Sequence, residues 1–294
     1  MQVRVVIYHP TGFTDEVHRL FFYKSLFADS SLSWVEQLYQ AALSVVDSES
    51  QSRIKRFYHR DDACRTLIGR LLTRTLVKER GIPLPDVKFA ATAAGKPYIV
   101  SQSKEKNILF REFLYPPLAY NITHDNNLIA MAYAPGLQNS PAFSLGIDVM
   151  KLRIPGRETF ASFVETVGDQ LTQLEHRQIN EGISQGEKLK RFFWMWTLKE
   201  AYTKALGIGL GFDFRRVEFD VVERVVRVDG RIPPGWRFNM FTVQDGDDVY
   251  QGVVAEFVGD IPTRVVDETA KIDWLTVHDA VEFTQDAIAT LKTE

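Results

Sequence analysis

Glu200 and Lys204 stand one helical turn apart in the stretch FFWMWTLKEAYTKALGIGLGF at 192–212. At 100° per residue Trp194, Leu198, Ala201 and Ala205 form one apolar stripe, and the glutamate and lysine fall together on another face. Taken alone, they read as a solvent-exposed i,i+4 ion pair contributing about 0.2–0.5 kcal/mol. The large aromatics Phe193 and Trp196 beside them fit simple exposure poorly. A second carboxylate, Asp148, interrupts the apolar run SLGIDVM. A buried carboxylate needs a partner, and a salt bridge and a metal site account for this one equally well. Magnesium uses one or two protein carboxylates and completes its octahedron with phosphate oxygens and water, so Asp148 and Glu200 would suffice. Gly95 and Lys96 in a turn, with Arg53, Arg56, Arg70 and Arg74, are possible phosphate contacts, although most of these arginines read as a solvated helix face. His124, where a strand meets a turn in YNITHDNN, reads first as structural.

The elements that must hold these residues are partly legible. Ile54, Phe57, Leu67, Ile68, Leu71, Leu72 and Leu76 recur at three- and four-residue intervals and predict a helix over 50–81, stopped by Gly81-Ile-Pro83. Short strand-like runs follow between Val87 and Pro135, broken by Ala94-Gly95-Lys96-Pro97 and Asp125-Asn126-Asn127, with YPP at 115–117 as a loop. After GLQNSPA at 136–142 come the strand FSLGIDVM, helical patterns near 158–181 and 187–206, and the alternating runs RVEFDVV, WRFNMFTV and VYQGVVAEFV. A weak amphipathic helix is expected around Trp274–Leu291. The expected fold is α+β, with two similar lobes at 1–140 and 141–294, each of mostly antiparallel strands packed with helices.

Length and charge narrow the classes. The 294 residues suit one large or two modest domains. A net charge of −3, from 35 basic and 38 acidic residues, gives no general attraction for nucleic acid or an anionic membrane. Cys64 is the single cysteine, which excludes an internal disulfide and fits a reducing compartment. The start, MQVRVVIYHP, reads as a strand and not as a signal sequence, so a soluble cytoplasmic protein is expected.

Together the stretches RIKRFYHRDDACRTLIGRLLTR at 53–74, AGKPYI at 94–99, YNITHD at 120–125, GIDVM at 146–150 and FWMWTLKEAYTKALGIGLGF at 193–212 resemble the 4'-phosphopantetheinyl transferases. The resemblance is to the larger monomeric class of two similar halves, and the wording is close to the eukaryotic, especially fungal, members. It implies transfer of the phosphopantetheine arm of coenzyme A, the substrate, to a serine of apo acyl or peptidyl carrier proteins or domains, with Mg²⁺ as cofactor and 3',5'-ADP released. The carriers implied are those of polyketide, nonribosomal peptide and fatty acid synthases and of aminoadipate reductase. Asp148 and Glu200 resemble the family's magnesium ligands, and Glu200 its candidate base. Lys204 would steady the pyrophosphate. Arg53, Gly95, Lys96, Pro97, Asn121 and His124 resemble its coenzyme A contacts, and Lys199 also matches the motif.

Two departures stand out. Met150 occupies the position where many bacterial relatives carry a third acid, and Ala91 precedes Thr92 where human-like relatives place an arginine that Arg70 could replace. The implied chemistry suits these residue types: two carboxylates and a cation can stabilise charge on pyrophosphate oxygens, and a carboxylate can take the serine proton. An acidic carrier would dock on a mixed apolar and basic surface within 150–191, where Lys151, Arg153, Arg157, Lys188, Lys190 and Arg191 accompany Phe160 and Phe163. Two alternatives are an enzyme that uses water or a small molecule as acceptor, and a non-catalytic protein that binds coenzyme A or carrier domains.

Overall fold

The computed structural model describes residues 1–9, 34–101, 117–136, 143–154, 156, 158–209, 211–267 and 273–293. The expected loop residues 115–116 and 137–142, and Arg157, lie outside them.

In chain order the elements are β1 (Gln2–Ile7), α1 (Trp34–Ser44), α2 (Ser48–Ile54), α3 (Arg60–Glu79), β2 (Val87–Ala91), β3 (Pro97–Ser101), β4 (Leu118–Asp125), β5 (Leu128–Pro135) and β6 (Leu145–Lys151). Then follow α4 (Phe160–Val167), α5 (Gln173–Asn180), α6 (Gln185–Leu206), β7 (Val217–Asp220), β8 (Val225–Val228), β9 (Trp236–Asp245), β10 (Asp248–Phe257), β11 (Arg264–Asp267), β12 (Leu275–Asp279) and α7 (Ala280–Lys292).

The fold is α+β, and its two main sheets share one pairing plan. The first has the order β12-β1-β5-β4 and the second β11-β9-β10-β6. In each, the first pair is parallel and the next two are antiparallel. This common plan gives the two lobes their similarity. β4 and β6 are the equivalent edge strands, and they meet at the seam. No ladder joins them; the side chain of Asn121 accepts from Ile147 N at 3.0 Å and that of Asp125 from Lys151 N at 2.7 Å. Two backbone N–H groups on the β6 edge are thus satisfied by polar side chains of β4.

Period-two alternation decides which side chains meet what. Tyr120 and Ile122 face the helical core formed by α1, α3 and α7, while Ala119 on the other face joins the layer between the sheets with Leu145, Ile147 and Val149. On β6 the intervening Gly146, Asp148 and Met150 face α6. Gly146 is needed there for space, since a Cβ would lie 2.1 Å from Ala201 O and 2.3 Å from Ala205 N. Its absence lets α6 lie directly on the strand.

Several boundaries differ from expectation. The helix expected over 50–81 is two helices, because the chain turns between the Lys55 C-cap of α2 and the His59 N-cap of α3. The stop at Gly81 holds: its φ is +72° and Ile82 N returns to Val77 O at 3.2 Å. The pattern at 158–181 divides at Thr172, whose side chain and Glu175 form a capping box that starts α5. The strands β8, β11 and β12 were not expected. The tail helix starts at Ala280, and residues 275–279 instead pair in parallel with β1. Beyond the expected boundary at 140/141, β12 and α7 thus return to the first sheet and its helices.

Candidate active site

Asp148 stands in the middle of β6 and is 5% exposed. Its Oδ1 accepts from Lys204 Nζ at 2.6 Å and from Thr123 Oγ1 at 3.0 Å, whereas its Oδ2 has no hydrogen-bond partner among the described residues. Burial raises the Asp148 carboxyl above the usual aspartate range, and Lys204 and Thr123 partly oppose that rise.

The close contact of α6 with β6 carries Glu200 and Lys204 over this strand. Ser184 caps the start of α6, and Gly207, at φ +67°, ends it. The ion pair expected between Glu200 and Lys204 is replaced by the pair of Lys204 with Asp148, a carboxylate the helix cannot supply itself. Glu200 makes no side-chain hydrogen bond or ion pair to any described residue. Desolvation, then the charge of Asp148, raises its carboxyl, with Lys204 opposing.

Two carboxylates against one ammonium leave a net negative charge, and one buried carboxylate oxygen lacks a donor. These features fit a divalent cation. Among the described residues no group of three or more His, Cys, Asp or Glu is placed to hold a metal. Asp148 and Glu200 are the candidate donors, and magnesium commonly takes one or two carboxylates from a protein. Met150 leaves no third acid on that face.

His124 is exposed at the end of β4. Desolvation by its neighbours, then Arg65 and Lys204, lowers its pKa. It lies close enough to Lys204 to feel its charge, whereas Arg53 stands apart on α2. Arg53, in the last turn of α2, lines a groove of about 540 Å³ with Arg70, Arg74, Lys88 and Phe89. Arg74 is engaged there with Asp47 and sits 4.6 Å from the centre of the Phe89 ring. Gly95, at φ +86°, makes the turn between β2 and β3, and Pro97 begins β3.

Three of the expected contact residues have partners within the protein. Lys96 is 6% exposed, and its Nζ donates to the carbonyls of Phe143 and Ala205. It satisfies the C-terminal end of α6 and is turned inward; burial lowers it to about 8. Asn121 is spent on the seam between the sheets. Lys199 is fully buried, bonded to Glu175 Oε2 at 2.6 Å and Gln170 O at 2.9 Å. Glu175 also takes Thr172 N at 2.7 Å and Phe219 N at 2.9 Å, so the pair ties α6 to α5 and β7. A ligand contact at Lys199 would require that knot to open.

Phe160 and Phe163, read as exposed, pack edge-on against Phe192 at 6.5 and 5.0 Å between ring centres. Lys151 is paired with Asp248 and Arg191 with Glu181 and Glu187. Sequence reasoning missed Thr123, Asp125 and the spatial need for Gly146. A signal existed: Asn121, Thr123 and Asp125 alternate with Tyr120, Ile122 and His124, placing a polar row on one face of a strand flanked by apolar residues.

Residues 33–136 match a family described as 4'-phosphopantetheinyl transferase, N-terminal, and residues 144–249 match the 4'-phosphopantetheinyl transferase superfamily. The chain is 46% identical over 260 residues to the 4'-phosphopantetheinyl transferase pptA of Paxillus involutus, covering 87% of this chain and 94% of that protein. It is 33% identical over 181 residues to the mouse L-aminoadipate-semialdehyde dehydrogenase-phosphopantetheinyl transferase, covering 61% of this chain and 54% of that protein. It is 27% identical over 216 residues to a 4'-phosphopantetheinyl transferase of Bacillus subtilis, covering 71% of this chain and 81% of that protein. With the clustered aspartate, glutamate and lysine inside the second matched region, the chain belongs to the 4'-phosphopantetheinyl transferase superfamily.

Proposed function

We propose that this protein transfers the 4'-phosphopantetheine arm of coenzyme A to a serine hydroxyl of apo acyl or peptidyl carrier domains in a magnesium-dependent reaction, with Asp148, Glu200 and Lys204 as its centre. The observation that carries this reading is the unpartnered Oδ2 of buried Asp148 beside Glu200, with Lys204 on the opposite carboxylate oxygen. Asp148 Oδ2 and the Glu200 carboxylate would hold the cation. When bound, Mg²⁺ supplies electrostatic stabilisation of charge growing on the pyrophosphate oxygens.

The protein's own groups divide the remaining work. The serine oxygen forms a bond to the β-phosphorus of coenzyme A while the bond to the oxygen of 3',5'-ADP breaks. Glu200 takes the serine proton as the serine oxygen attacks. Lys204 donates toward the phosphate oxygens from its place beside Asp148. His124 and the cationic groove at Arg53 and Arg70 are the candidate contacts for the adenylate and its 3'-phosphate. The cations Arg153, Lys188 and Lys190, without an ion-pair partner among the described residues, offer the basic part of a carrier-docking face. The likeness to the mouse protein supports an aminoadipate reductase among the carriers. A cytoplasmic monomer fits this role.

The test is intact mass spectrometry of apo carrier domains incubated with the protein, coenzyme A and Mg²⁺, beside Glu200→Gln and a chelator control. A gain of about 340 Da that both controls abolish supports the transfer and the metal site together. Release of 3',5'-ADP without a change in carrier mass would point to a different acceptor. Bound coenzyme A with no transfer to any carrier class would overturn the catalytic reading.

A further inference from the structure

At the seam one hydroxyl serves two of the clustered groups. Thr123, 5% exposed on β4, donates from Oγ1 to Asp148 Oδ1 at 3.0 Å and accepts from Lys204 Nζ at 3.1 Å. Lys204 Nζ reaches the same Oδ1 at 2.6 Å. The three groups therefore close a ring of hydrogen bonds in which Oδ1 takes two donors and Oδ2 none. The terminal torsion of an aspartate is soft and nearly two-fold, so the strand does not choose between its oxygens. A threonine side chain is stiff at χ1, which fixes the direction of its hydroxyl by the course of β4.

Thr123 belongs to the first lobe, whereas Asp148 and Lys204 belong to the second. We propose that Thr123 is a positioning residue: by holding Asp148 Oδ1 and Lys204 together, it commits Oδ2 to the divalent cation and keeps the ammonium from competing for it. The proposal rests on the metal reading of Asp148 and Glu200. Without the hydroxyl the carboxylate can turn and offer both oxygens to Lys204. Groups that orient a ligating side chain commonly change metal affinity by about 10–100-fold.

The experiment is a Mn²⁺ titration of the full chain, with free Mn²⁺ read by electron paramagnetic resonance and no carrier protein present. Wild type, Thr123→Val, Thr123→Ser and Asp148→Asn are compared, and each melting curve is recorded to confirm a folded sample. The expected result is a Kd at least about 10-fold higher for Thr123→Val, with Thr123→Ser within about 3-fold of wild type. Should the valine variant not fold, Thr123→Ala is read against the same thresholds. Wild-type affinity in the valine or alanine variant, while Asp148→Asn loses binding, would overturn the positioning role and leave the metal site standing. A serine variant as weak as the valine variant would also overturn it. Wild type without Mn²⁺ affinity, or Asp148→Asn equal to wild type, would overturn the metal site and the proposal with it.

Discussion

Replacing Gly146 by alanine adds one methyl group at the contact between β6 and α6. The new carbon would lie 2.1 Å from Ala201 O, 2.3 Å from Ala205 N and 2.9 Å from Ala205 Cα. All three are backbone atoms of one helix, so no side-chain rotation relieves the overlap. Ordinary contact requires α6 to retreat from the strand by roughly 1 Å, taking Glu200 and Lys204 with it. Overpacking of this kind costs about 1–3 kcal/mol of stability. A misplacement of about 1 Å between reacting groups can cost on the order of 10²-fold in rate. Gly146→Ala is therefore expected to remain folded, with a melting temperature lower by several degrees, and to transfer phosphopantetheine at about 1% of the wild-type kcat/KM. The assay is the time course of carrier mass gain at saturating Mg²⁺, with circular dichroism melts of the same samples. Wild-type transfer by Gly146→Ala would refute the claim that helix-to-strand distance sets the geometry of the site.

Three further outcomes are expected. The raised Glu200 carboxyl keeps a proton in the folded protein that the unfolded chain has already released. In chelator, wild type should therefore lose stability relative to Glu200→Gln as pH rises from about 4.3 through the raised value, as read from urea midpoints; a constant difference would contradict the shift. Mg²⁺ at about 100 times its Kd should stabilise wild type by about 2.7 kcal/mol and leave Asp148→Asn unchanged in thermal melts, and equal shifts would place the ion elsewhere. Lys199→Met strands Glu175 in the interior and should cost about 3–5 kcal/mol in chemical denaturation, with Lys199→Met/Glu175→Leu recovering much of it. A loss below about 1 kcal/mol would argue against the buried pair.

The chemistry was more legible than the elements that deliver it. Asp148, Glu200 and Lys204 could be singled out because each breaks or borders an apolar pattern, and the structure does bring them together. The pairing of Lys204 with Asp148 could not be read, because it depends on which strand α6 crosses. Lys96, Asn121 and Lys199 match ligand positions of the motif, and in the structure their polar atoms meet Ala205 O, Ile147 N and Glu175, between 24 and 109 positions away in the chain. Polar atoms spent on distant backbone look the same in sequence as polar atoms kept for a ligand. The strand β12 escaped notice because its residues alternate poorly, being mostly exposed on both faces.

That strand has a consequence for how the chain is made. The parallel neighbour of β1 is supplied only by residues 275–279, and α7 then completes the helical core around Tyr8, Leu38 and Leu71. A ribosome releases the beginning of this lobe long before its closing pieces exist. Until then β1 carries an open edge and α3 an uncovered apolar side, the conditions that invite association with other chains. The first lobe consequently cannot finish folding until residues 275–292 have been made. Its assembly waits for the second, whose strands β6, β9, β10 and β11 lie within one uninterrupted stretch of sequence and can pair without it.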